Sequence, residues 1–175
     1  MTKLLLCQRD GEGNVAKVHL TFADALDVVR KLDNITLGLP RFAYLVGRQY
    51  SGHDSQYPAW DEVNGRLRRP HDTTALERLK WLMKRAKANS TTISLHVNMF
   101  DAFMDGPLWD AYLAEDIIAK DAAGHPIEGG RLAGMQSYQI SDAREWELGY
   151  AQQRMDRLIA TIPELQDAGP TYRGV

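Results

Sequence analysis

Phe42-Ala43-Tyr44-Leu45-Val46-Gly47 is an unbroken apolar run of strand length. A strand that is apolar at both parities has no face to give to water, so it must be covered on both sides, as in a parallel sheet flanked by helices. The neighbouring segments supply such helices. Thr21 opens one, with capping-box spacing to Asp24 and with Phe22, Ala25, Leu26, Val29 and Leu32 recurring at helical period. Gly38-Leu39-Pro40 breaks it. Thr74 opens a second, with Glu77 placed to complete a capping box and Leu76, Leu79, Leu82, Met83 and Ala86 on one face. After Asn89 the chain enters Thr92-Ile93-Ser94-Leu95-His96-Val97-Asn98, where Ile93, Leu95 and Val97 alternate with Ser94, His96 and Asn98.

The remaining segments extend this rhythm. Leu4-Leu5-Leu6-Cys7 reads as a short buried strand leaving through the turn formers Arg9-Asp10-Gly11-Glu12-Gly13-Asn14. A short amphipathic piece is expected at residues 107–113, a strand at 116–120, a turn-rich loop at 121–134, and a helix at 142–161 capped by Ser141 and ended by Pro163. Strands alternating with helices indicate an α/β fold with parallel strands. The Gly-rich turn of dinucleotide-binding sheets is missing. Two arrangements fit the alternation, a doubly wound sheet and a (β/α) TIM-type barrel. About three to four strand-helix units, against the ~250 residues of a complete barrel, make the chain either a partial (β/α) TIM-type barrel, which is the expected architecture, or a smaller α/β protein. Residues 1–175 read as a single domain, the N-terminal portion of a (β/α)8 barrel truncated at its C-terminus. The tail from Ala168 to Val175 carries no apolar run of strand character.

Charge narrows the partners. With 21 basic and 23 acidic residues the chain has a net charge of -2, which creates no field for nucleic acid or an anionic membrane. No stretch approaches the ~20 apolar residues of a membrane span, and the N-terminal apolar run is too short for a signal-peptide core, so the chain as written is expected in the cytoplasm. The single cysteine, Cys7, sits in an apolar run and reads as core. No cofactor is expected.

Chemistry is expected in the loop Gln49-Tyr50-Ser51-Gly52-His53-Asp54-Ser55-Gln56-Tyr57-Pro58-Ala59-Trp60-Asp61-Glu62-Val63-Asn64, because it leaves the carboxyl end of a buried strand. Its His, Asp, Gln and Asn side chains offer paired donors and acceptors, and Tyr57 and Trp60 offer flat apolar faces, a combination that suits a sugar ring. The competing reading is a loop that cross-links itself, with Trp60 as a lid over the core. His96 and Asn98 share one face at the end of the next strand, and Asp101 follows. His53, Asp54, His96 and Asp101 are also metal-ligand types, which admits a metal-dependent barrel hydrolase, but no His-x-His, His-Glu-x-x-His or Cys-x-x-Cys spacing accompanies them, and no metal site is assigned. Asp54, Asp61, Glu62, Asp101 and Asp105 are candidate acid-base groups by type, and no spacing singles out the opposed pair that glycosidic hydrolysis needs.

Tyr44-Leu45-Val46-Gly47-Arg48-Gln49-Tyr50-Ser51-Gly52-His53-Asp54 resembles the strand and loop ending in Gly-His-Asp of glycoside hydrolase family 101, the endo-α-N-acetylgalactosaminidases. Ser94-Leu95-His96-Val97-Asn98 resembles that family's next strand, which ends in His-Val-Asn, and Met135-Gln136-Ser137-Tyr138-Gln139-Ile140 resembles its segment before a long helix. The resemblance covers roughly residues 35–165. It implies the barrel of a retaining hydrolase, extracellular or cell-surface in the family, acting on α-linked N-acetylgalactosamine of O-glycans with an aspartate nucleophile and a glutamate acid/base. It also implies that His53, Asp54, His96 and Asn98 line the sugar pocket, with Gln49, Asp101 and Gln136 as further candidates. Both catalytic carboxylates are expected beyond the C-terminus, so this chain would supply the substrate-binding half. Two positions depart from the family pattern: Arg48 stands where a Trp is typical, and Gly130-Arg131-Leu132 where two tryptophans close over the disaccharide. The alternative is a non-catalytic carbohydrate-binding or interaction module, and the open edges of a half barrel would favour self-association.

Overall fold

Each apolar run takes the place its pattern requires. β1 (Thr2–Leu5) leads into a hairpin of β2 (Cys7–Arg9) and β3 (Val15–Val18), followed by α1 (Phe22–Ile35), β4 (Arg41–Val46), α2 (Ala75–Lys87) and β5 (Thr91–Leu95). In the computed structural model, which describes residues 1–168, β1, β4 and β5 form one parallel sheet in that order. The register sets Leu4 opposite Leu45 and Leu45 opposite Leu95, so one face of three strands is apolar at the same level. That face joins Phe22, Leu26 and Val29 of α1 and Leu79, Leu82 and Met83 of α2 in a single core. The expected tail at residues 169–175 lies outside the described residues.

Both crossover helices begin as their sequences dictate. The Thr21 hydroxyl accepts from the Asp24 amide while the Asp24 carboxylate accepts from the Thr21 amide, a complete capping box. The Thr74 hydroxyl accepts from the Glu77 amide at 3.1 Å. The second face of the sheet is different. On the parity opposite Ala43 and Leu45, Phe42 is 41% exposed while Tyr44 is half-buried and Val46 is buried, so the expected cover of this second face is present toward the carboxyl end of β4 and lacking at its start among the described residues. The reason is geometric: α1 and α2 both pack on the face of Ala43 and Leu45.

Beyond β5 the chain departs from strand-helix alternation. β6 (Asp101–Phe103), α3 (Trp109–Ala114), β7 (Glu128–Leu132), β8 (Met135–Gln139), α4 (Asp142–Glu147) and α5 (Tyr150–Thr161) follow. β6, β8 and β7 form an antiparallel sheet with β8 in the middle. The strand expected at residues 116–120 makes only isolated bridges, because Ile117 and Ile118 fill a second small core with Tyr112 and Ile140 and do not join the parallel sheet. The parallel part therefore holds three strands, the lower end of the expected three to four units. The loop expected at 121–134 contains β7, whose glycines hid it: a Cβ on Gly129 would stand 2.5 Å from the Asp101 carboxylate and 2.7 Å from the Ser137 hydroxyl. The single helix expected at 142–161 is two helices, since Gly149 takes a left-handed φ of 78° between them. Ser141 precedes α4 as expected but makes no side-chain capping bond.

Candidate functional site

The loop after β4 is held by main chain. Gly47 has φ 76°, and a Cβ there would fall 2.1 Å from the Cys7 carbonyl oxygen; at Gly52 it would fall 2.8 Å from the Gln8 carbonyl carbon. Two glycines thus let the loop lie directly on the backbone of β2. The His53 amide donates to the Cys7 carbonyl at 2.9 Å, which fixes where the following side chain starts. Tyr50, Asp54 and Gln56 all have positive φ, at 43°, 48° and 58°. Left-handed backbone at non-glycine residues is costly and gathers where function requires it.

From the neighbouring strand, the sheet ladder runs one step past β5: the His96 amide donates to Leu45 O at 2.9 Å. His96 consequently keeps strand parity, pointing away from the Ile93 and Leu95 face, toward the loop. Its Nε2 stands 3.1 Å from Asp54 Oδ1, and His53 Nε2 stands 3.4 Å from Asp54 Oδ2. A ligand atom of each of the three lies within 4.8 Å of the others, and all three side chains are half-buried. They meet at the carboxyl ends of the parallel strands β4 and β5.

Charge fixes the proton positions. Burial pushes the Asp54 carboxyl up, but the hydrogen bond from His96 and the charges of His53 and His96 outweigh it and hold Asp54 below the usual carboxylate range. An ionised carboxylate only accepts, so His96 Nε2 carries a hydrogen toward Asp54, and Nδ1 forms a hydrogen bond with the Tyr44 hydroxyl at 2.6 Å, in which the phenol can donate or accept. Burial lowers the His53 pKa, with Asp54 opposing and His96 adding to the shift, so His53 favours its neutral form. The Tyr57 hydroxyl also lies against Asp54; burial first, and then that negative charge, hold it well above the ordinary phenol range.

The other expected residues serve the frame. Asn98 stands at the same end of the sheet, but its Oδ1 accepts from the Phe100 and Asp101 amides at 2.9 and 3.2 Å, and its Nδ2 donates to Asp101 Oδ2 at 2.6 Å. This is a turn closed by an Asn side chain. Asp101 is in turn 3.4 Å from the Ser137 hydroxyl. Gln136 donates to the carbonyls of Gly130 and Ser137 within the β7–β8 pair. Gln49 is buried, and its backbone bridges Val63 across the base of the loop. Tyr57 and Trp60 do not offer open faces to a sugar. Both are buried, and the Arg154 guanidinium lies 4.1 Å over the Trp60 ring, so the reading of Trp60 as a cover of the core holds.

Two residues that sequence reasoning passed over adjoin the trio. Tyr44 was hidden inside an apolar run; its signal was parity, since it pairs with Ser94 on the face that leads to His96. Arg9, buried on β2, pairs with Asp105 at 3.2 Å, lies over the Phe103 ring and feels the charge of Asp54. No spacing in the sequence links Arg9 to either partner.

Among solved structures, a quadruple mutant of alpha-N-acetylgalactosaminidase NagBb from Bifidobacterium bifidum superposes with a TM-score of 0.70 at 14% identity, over 91% of this chain and 26% of that one. The same enzyme in its GalNAc complex gives a TM-score of 0.67 at 15% identity, over 91% and 25%. An alpha-amylase from Lactobacillus plantarum gives 0.54 at 17%, over 91% and 35%. Identities this low speak for the fold, and the chain spans about a quarter of the length of NagBb. No curated protein matches the chain in sequence. The family model described as endo-alpha-N-acetylgalactosaminidase matches residues 12–168, nearly the whole chain, and so the chain belongs to that glycoside hydrolase family.

Proposed function

We propose that this chain forms the saccharide-binding part of a (β/α) barrel glycoside hydrolase acting on α-linked N-acetylgalactosamine, with the nucleophile and acid/base supplied from outside residues 1–175. The observation that carries this reading is the convergence of His53, Asp54 and His96 at the carboxyl ends of β4 and β5. An ionised Asp54 accepts from two sugar hydroxyls, and a neutral His53 donates and accepts, which matches the edge of a pyranose. The end of the strands is where barrel enzymes build their sites. Asn98, Asp101, Gln49 and Gln136 support the walls around this centre.

The disposition of carboxylates agrees with a binding role. Asp101 is engaged by Asn98 and Asp105 by Arg9, which leaves Asp54 as the acidic group of the cluster. Family membership and the alpha-N-acetylgalactosaminidase fold neighbours point to the same sugar.

The test is a calorimetric titration with GalNAc beside an assay with an aryl α-N-acetylgalactosaminide. GalNAc is expected to bind and the aryl glycoside to remain intact. Asp54→Asn is expected to lose ~1.5 to 3 kcal/mol of binding, the worth of hydrogen bonds to a charged group. Turnover abolished by removing a carboxylate within the chain would overturn the division of labour, and unchanged affinity in Asp54→Asn would overturn the site.

A further inference from the structure

The trio gathers the donor atoms for a second kind of ligand. A tetrahedral zinc ion with bonds of ~2.0 to 2.1 Å to nitrogen and oxygen sets neighbouring donor atoms ~3.3 Å apart. One donor atom from each of His53, Asp54 and His96 lies within 4.8 Å of the others, so small side-chain rotations bring the three to that spacing around one ion. We propose that His53, Asp54 and His96 form a site for a borderline divalent transition metal ion of the zinc class, which occupies the cluster in competition with sugar.

Three further observations support this. The donor set, two imidazoles and one carboxylate, suits zinc, cobalt or nickel and not the oxygen-seeking magnesium or calcium. The side chains are between 21% and 29% exposed, so water reaches a fourth position and the ion has a route in. Tyr44 supplies the partner that a ligating histidine needs on its other nitrogen. Without metal, His96 donates from Nε2 to Asp54 and pairs at Nδ1 with the Tyr44 hydroxyl. Metal binding requires the Nε2 lone pair, which is obtained when His96 holds its proton on Nδ1 and donates it to the Tyr44 oxygen. A phenol serves equally as donor or acceptor, so the same Tyr44 contact accommodates both tautomers, and no proton need leave the imidazole.

The competition, unlike metal uptake itself, rests on the sugar reading above. Metal uptake is therefore measured first, on the full chain without sugar, by the visible absorption of added Co2+ and by calorimetry with Zn2+. Uptake of one equivalent with the intense bands of four-coordinate cobalt is expected, with Mg2+ silent. His53→Gln and His96→Ala, each checked for folding by circular dichroism, are expected to weaken Co2+ at least tenfold. Tyr44→Phe is expected to weaken it about tenfold while leaving the stoichiometry at one. GalNAc titrations are then repeated at rising Zn2+, and an apparent Kd that climbs in proportion to Zn2+ is expected. Absent cobalt bands, or bands that survive both histidine variants, overturn the metal site whatever the sugar result. Metal uptake with GalNAc affinity independent of Zn2+ overturns the competition, and metal uptake without any GalNAc binding places the failure in the sugar reading alone.

Discussion

Asp54 owes its properties to three different parts of the chain: a left-handed backbone set by its own loop, a hydrogen bond from His96 on the next strand, and a phenol, Tyr57, against it. The sign of its titration follows. With the folded carboxyl held below 3.8, its contribution to stability is present above the unfolded value and is lost as pH falls through the lower folded one. Urea unfolding between about pH 3 and 5 is therefore expected to show a shallower acid loss in Asp54→Asn than in the parent. His53 acts at higher pH. Its pKa lies below 6.5, so GalNAc affinity is expected to stay level as pH drops to about 6.5 and to fall only at lower pH, as read by calorimetry from about pH 8 to 5. His53, Asp54 and His96 were legible in the sequence because each follows a strand that parity and apolar runs define. The role of Asn98 in the fold was not legible, because Asn-x-x-Asp, here Asn98 to Asp101, reads as two free polar groups and is also a turn that local hydrogen bonds close.

The elements divide into those the periodicity announces and those it conceals. α1, α2, β4 and β5 could be read directly, since capping residues and 3.6- or 2-residue repeats act over short stretches. Leu82 shows what such a helix contributes: it is fully buried in the shared core, and Leu82→Ala is expected to cost about 2 to 5 kcal/mol by chemical denaturation. β7 and the break at Gly149 were not legible, because the first depends on a distant Asp101 and the second on a backbone angle that glycine permits but does not require. A buried polar chain ties these later elements to the site loop. Tyr112 donates to Glu145, Glu145 pairs with Arg154 at 2.6 Å, and Arg154 donates to the Pro58 carbonyl at 3.1 Å while covering Trp60. Glu145→Gln leaves a buried guanidinium without its counter-charge and is expected to destabilise by about 3 to 5 kcal/mol. In a double-mutant cycle with Arg154→Met, the pair removed together is expected to lose much less than the sum of the single changes.

As a whole, the molecule has a finished side and an open one. α1 and α2 close one face of the parallel sheet, whereas Phe42 is exposed on the other and β5, at the sheet's edge, has no further strand partner among the described residues. A groove of about 570 Å³ runs beside that edge, between Trp81 and Met83 of α2 and Thr92 and Ile93 of β5. Unpaired strand edges template association, so the weight-average mass in sedimentation equilibrium is expected to rise with concentration. The α/β class was legible in the sequence because it follows from local alternation; the antiparallel second half was not, since its pairings join residues whose patterns carry no period. One contact described earlier separates what this protein can vary from what it cannot. The main-chain anchor for the site loop at position 7 is a carbonyl oxygen, which every amino acid possesses, while the Cys7 thiol adds contacts to Ser51 O and Asn64, so a library at Cys7 will admit the small side chains that fit that buried space. Positions 47 and 52 answer to a harsher rule, because there any added carbon strikes that same backbone. Selection for binding in such a library should thus leave a short set of small residues at 7 beside two nearly invariant glycines, so the backbone tolerances at 47 and 52 are stricter than the side-chain tolerance at the buried cysteine.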